Sequence, residues 1–145
     1  MTRKTVSKVL ELKGMTREQL EAETGRARAR LRSEELQLAD LERRFSEASV
    51  DFASRQRAAT MGMHDVELCT SYCSCLAQRI RKQKEIVAVR SREVAEKEQA
   101  LVVAYREQRL IGILHDRLTQ EERREQRAGE QKEVDERFLL RRTDR

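Results

Sequence analysis

Proline and tryptophan are both missing from this 145-residue chain, glycine occurs only five times, and aromatic residues make up 3% of it. No run of four strongly apolar residues occurs anywhere. Each shortage excludes something. A compact domain of this length buries a core rich in aromatic and branched side chains, and the 38% apolar content here is spread too thinly between charges to build one. Disordered chains carry proline-rich and serine-rich tracts, and none is present. No stretch approaches the ~20 apolar residues of a membrane span or resembles a signal peptide. The expectation is therefore a cytoplasmic protein with reduced thiols.

What remains is a chain made of helix formers. Glu, Arg, Gln, Leu, Ala and Lys dominate. The lack of proline is what long uninterrupted helices require, because proline removes a backbone donor and clashes with the preceding turn. Charged residues make up 39%, with 31 Lys and Arg against 26 Asp and Glu for a net +5. The two signs alternate along nearly the whole length, as in "EELQLADLERRFSEAS". Nucleic-acid binders segregate positive charge into one face or arm, so the pattern argues against nucleic acid and for solvated helix faces.

Apolar residues recur at heptad spacing in two blocks. Leu31, Leu38, Phe45 and Phe52 follow one another every seven residues, with Ala27, Leu41 and Ala48 between them and Thr24, Leu20 and Leu10 in the same register. Cys73, Ile80, Val87, Val94 and Leu101 form the second series, beside Val66, Cys69, Leu76, Ala104, Ile111 and Leu118. A period near 3.5 with charged flanks is the pattern of a coiled coil. The pattern lapses around "QRAATMGMHDVE", where Gly62 marks a turn and Thr60 and Asp65 are candidate N-caps. The expected fold is all-α, two long helices forming one antiparallel coiled-coil hairpin across residues 1–145. Helix 1 is placed at about 3–57, the turn at about 58–64 and helix 2 at about 65–140, frayed after 120 where the chain is almost purely charged.

Several features qualify that plan. Glu34, Gln83, Arg90 and Lys97 occupy seam positions where leucine is expected, which lowers stability and restricts register. Met15-Thr16-Arg17-Glu18-Gln19-Leu20 after Gly14 reads as a capping box with a staple from Met15 to Leu20, with either a kink or break near Gly14 or a continuous helix. All three cysteines, Cys69, Cys73 and Cys75, fall within "CTSYCSC". Their helical spacing does not converge on a tetrahedral metal, so Cys69 and Cys73 are read as small seam residues and no metal or other cofactor is expected. His64 and His115 have no partner at catalytic spacing, and a two-helix coil offers no cavity to desolvate a substrate. The chain is not expected to be an enzyme.

The N-terminal "VLELK" (Val9 to Lys13), the glycine-containing turn, the spacing Tyr72-Leu76-Ile80 and the C-terminal "EQKEVDERF" (Glu130 to Phe138) together resemble the FliJ family of flagellar type III export proteins, and less closely its YscO-type relatives. The resemblance covers essentially the whole chain. It implies a hairpin similar to the stalk subunit of rotary ATPases, acting as a non-enzymatic central stalk and regulator of the export ATPase. It also implies three partners: the export ATPase hexamer, the cytoplasmic domain of the membrane export gate, and export chaperones. The protein would then lie at the cytoplasmic face of the inner membrane without inserting into it. By position in the family motifs, Tyr72, Leu76, Arg79 and Gln83 would face the gate. Leu10, Glu11 and Lys13, with Glu133, Asp135, Glu136 and Phe138, would lie near the ATPase. Phe138, Leu139 and Leu140 are either the last grip of the hairpin or a docking anchor, and Arg141, Arg142 and Arg145 read as a solvated tail. The alternative is a generic coiled-coil adaptor or the stalk protein of a virulence secretion system.

Overall fold

The structure is a computed structural model that describes residues 2–144. Among these residues two helices account for nearly all of the chain, and no strand is present. Helix α1 runs Arg3–Arg57 over 55 residues and α2 runs Met63–Thr143 over 81. Contacts divide the chain into a turn unit, Glu21–Ala100, and a terminal unit formed by the segments up to Leu20 and from Leu101 onward.

Within each unit the two helices run antiparallel. In the turn unit Glu34 meets Gln83, whereas the earlier Arg28 and Glu23 meet the later Glu98 and Lys97, so the two helices run in opposite directions. The terminal unit repeats the relation, with Lys13 on Glu107 and Arg3 on Glu122. The fold is the expected antiparallel hairpin.

Both ends of the turn are closed by backbone geometry. At the end of α1, Thr60 N–H donates to the Arg55 carbonyl at 3.4 Å and Ala59 N–H to that of Gln56 at 3.2 Å. That pair of bonds is a Schellman motif, and Ala59 occupies its left-handed position at φ 51° where glycine is usual. Gly62 opens α2: its carbonyl accepts from Val66 N–H at 3.1 Å, and its own N–H donates to Asp65 Oδ2 at 3.3 Å. Asp65 is thus the third helical residue reaching back to the cap, and Thr60 belongs to the end of α1, so neither is the N-cap expected from sequence. The first cap is Thr2, whose hydroxyl accepts from Thr5 N–H at 3.3 Å.

Two further local expectations are overturned. Helix α1 passes through Gly14 without a break, and the Thr16 hydroxyl donates to the Leu12 carbonyl at 3.0 Å instead of capping a new helix. The stretch after residue 120 is helical to Thr143. Helix formers, proline-free sequence and local bonds such as Gln131 Nε2 to Asp135 Oδ1 at 2.9 Å sustain it.

The core is thin. Val6, Ala27, Leu41, Leu76, Val94 and Ala104 are its buried apolar side chains, joined by buried Thr24 and Gln83. Phe45, although in register, keeps 36% of its surface in water. Stability must therefore come from a seam one or two residues wide plus helix propensity.

Candidate functional site

The turn unit and the terminal unit each carry one set of the residues singled out from sequence. In the turn unit the register separates the four residues of the first set. Tyr72 and Arg79 are exposed, Tyr72 by 52%. Leu76 is 2% exposed and is among the most buried side chains of the protein. Gln83 is buried too, and its Nε2 donates to the Glu34 carbonyl oxygen at 2.9 Å and to its carboxylate at 2.6 Å. Leu76 and Gln83 are therefore held inside the seam, and Tyr72 and Arg79 are the members of the set that present themselves outward. The separation follows from the heptad: Leu76 and Gln83 are seven apart on the α1-facing stripe, and Tyr72 and Arg79 are seven apart on its flank.

Tyr72 stands in a shallow groove of about 290 Å³ between the two helices. Cys69 and Cys73 form its α2 wall with the tyrosine, and Arg44, Glu47, Ala48 and Asp51 form the α1 wall. Next to it lies a second groove of about 310 Å³ that contains Arg79 with Asp40, Leu41, Arg44 and Lys82. Asp40 is held by Arg43 at 2.7 Å and Arg44 at 3.0 Å. The hydrogen bond from Arg43 keeps the Asp40 carboxyl below its ordinary pKa, against the opposing effect of desolvation and with support from the charges of Arg44 and Arg43. The grooves thus offer one aromatic platform framed by fixed charges of both signs.

The cysteines take their place in this frame. Cys69 and Cys73 are half-buried at the groove and Cys75 is exposed, all three as free thiols. Among the described residues no group of three His, Cys, Asp or Glu side chains is placed to hold a metal. His64 is exposed, and half-buried His115 has its Nδ1 3.8 Å from Asp116 Oδ1, a loose contact between neighbours in the chain.

The second set splits into two places within the terminal unit. Lys13 donates to Glu107 Oε2 at 2.8 Å, with Leu10 half-buried and Glu11 exposed nearby on the same helix. Glu133, Asp135, Glu136 and Phe138 lie 26 or more residues further along α2 than Glu107, about 40 Å at 1.5 Å per residue. The structure therefore does not bring the N-terminal and C-terminal residues of this set together. The reason is the pairing register, which sets Arg3 against Glu122, so that the C-terminal residues lie beyond that pair along the further ~30 Å of α2. Every described side chain from Gln120 on is exposed, including Val134, Phe138, Leu139 and Leu140 at 58–65%. Arg141 and Arg142 are solvated there, and Arg145 lies outside the described residues.

The leucine-position misfits are each paired: Gln83 with Glu34 and Lys97 with Glu23 at 3.0 Å across the hairpin, and Arg90 with Glu93 at 3.1 Å along α2 itself. The spacing of Glu34 and Gln83 held that signal, but only the pairing register tells which α1 residue each one meets.

A family model described as "Flagellar FliJ protein" matches residues 3–145. Comparison with curated proteins and with solved structures returned no match.

Proposed function

The chain belongs to the FliJ family and so to the flagellar export apparatus, as a non-catalytic component, and from that premise we propose that it serves as the central stalk of the export ATPase. In this reading it promotes assembly of the ATPase ring, couples the ring to the cytoplasmic domain of the export gate, and escorts export chaperones at the cytoplasmic face of the inner membrane. The observation that carries the reading is the last stretch of α2. It is helical to Thr143, yet every described side chain from Gln120 onward is exposed. A helix with Val134, Phe138, Leu139 and Leu140 in water, beside Glu133, Asp135 and Glu136, is suited to contact another protein. Leu10, Glu11 and Lys13 would add a second, separate contact on the ATPase.

At the other site, Tyr72 and Arg79 would touch the gate, with Leu76 and Gln83 holding the helix face in register behind them. No helix of the described residues is long and apolar enough to cross a membrane, so attachment would run through the gate. Many exposed ion pairs of about 0.2–1 kcal/mol each suit a shaft that must shift against a ring.

The test is reconstitution. Adding the protein to purified export ATPase should increase ring formation in sedimentation and raise the hydrolysis rate. Phe138→Ala with Leu139→Ala should abolish both, and Tyr72→Ala should leave both intact but lose binding to the gate domain. Absence of binding and stimulation with the native chain would reject the stalk reading, and retention of chaperones alone would leave an escort.

A further inference from the structure

Helix α2 has a second apolar stripe within the terminal unit. The side facing α1 is bracketed by two contacts: Glu107 pairs with Lys13, and Tyr105 lies 5.4 Å from the guanidinium carbon of Arg17. Between and around them Ala104 is buried and Leu101, Ile111 and Leu118 are half-buried. At 3.5–3.6 residues per turn, Arg106 must then point away from α1, and Val102, Val103, Leu110 and Ile113 share its face. These four apolar residues are 42–67% exposed.

The composition of that face differs from a solvated helix surface. From Gln99 to Gln120 its charged members are Arg106, Arg109, Arg117 and Asp116, with no lysine and no glutamate. The equivalent positions earlier in α2 carry Lys82, Glu85, Arg92 and Glu96 around a lone exposed Val89, the charge mixture expected of a face turned to water. Enrichment in arginine with depletion of lysine and glutamate is a compositional signal of a protein interface core, and a contiguous exposed apolar stripe marks an interaction site. Among the described residues none of Arg106, Arg109 and Arg117 makes an ion pair, although carboxylates abound along this helix. Asp116 sits at the edge of the stripe, beside His115.

We infer that this outward face of α2, centred on Val103, Arg106, Leu110 and Ile113, is a docking surface for an acidic amphipathic helix of another protein. The apolar stripe receives the partner's aliphatic side chains, and the three guanidiniums take its flanking carboxylates as charge-assisted, bidentate pairs. A second copy of the chain is a poor occupant, because self-pairing sets arginine against arginine. None of the residues proposed above for ATPase or gate contact lies on this face, so the two readings fail independently.

The experiment uses the full chain and a fluorescein-labelled helical peptide with a leucine stripe flanked by glutamates, beside its twin with lysine for every glutamate. Anisotropy should show binding of the acidic peptide that weakens with salt, and little binding of the basic one. R106E/R109E/R117E and, separately, L110D/I113D should each weaken it about tenfold or more. These positions are exposed, so circular dichroism should show the helices retained. Four outcomes would overturn the inference: equal binding of both peptides, indifference to either set of substitutions, self-association through Leu110 seen by sedimentation, or capture by anionic phospholipid vesicles in preference to the peptide.

Discussion

Leu76 and Gln83 occupy one position of successive heptads and are both buried, yet they do opposite things for stability. Leu76 is 2% exposed in a seam with few other large side chains. Leu76→Ala should therefore lower the unfolding free energy by about 2–4 kcal/mol, read in urea melts followed by circular dichroism. Gln83 ties α2 to Glu34 in one register, and Glu34 keeps a path to solvent. Gln83→Leu should raise stability by about 1 kcal/mol, because the polar side chain favours register at the expense of burial, and the same melts should show a higher midpoint. Asp40 supplies a test of charge. Its carboxyl is depressed by the Arg43 hydrogen bond, so its favourable interaction is fully present above the ordinary value of 3.8 and is lost as pH falls through the depressed one. An NMR titration should place its midpoint below 3.8, and Arg43→Ala should bring it back up.

The elements owe their continuity to what interrupts helices and is absent here, so the few irregular positions are the informative ones. Ala59 holds φ 51° to close the Schellman motif of α1, a conformation glycine adopts without steric conflict. Ala59→Gly is expected to stabilise the hairpin by about 1 kcal/mol. Gly112 lies within α2, and nothing stands within 4 Å of where its Cβ would be. Gly112→Ala should add about 0.5–1 kcal/mol by lowering the entropy of the unfolded chain, with both effects measured by thermal melts. A fall in stability at either position would show that the backbone there is set by something other than helix geometry. At Gly14 a glycine and a capping-box pattern are overridden by the continuity of α1. Local signals propose a helix start, but propagation is favourable on both sides, so the helix runs through and Thr16 bonds backward instead.

For the whole molecule the decisive quantity is how little is buried. Each helix meets one partner, the inter-helix ion pairs are exposed, and each contributes about 0.2–1 kcal/mol that salt screens. The exposed end of α2 contributes to neither seam nor core. Truncation after Arg123 should leave the melting temperature within a few degrees and reduce helix signal only in proportion to the residues removed. It should also eliminate ATPase stimulation. A large loss of stability would mean that the last turns of α2 serve the fold and not a partner.

Composition and heptad spacing were enough to determine two long helices and their antiparallel return, because both depend on local propensity and on the period of apolar residues. The family motifs single out sets of candidate residues for the same reason, since they are contiguous in the chain. Which members of those sets are available was settled by tertiary structure alone. Tyr72 and Leu76 differ by one helical turn in sequence, but the packing of α1 buries one and leaves the other in water. Likewise, nothing in "VLELK" or "EQKEVDERF" tells that they stand some tens of ångströms apart. That distance follows from the register of Arg3 on Glu122 and Lys13 on Glu107, which pairs residues more than ninety positions apart.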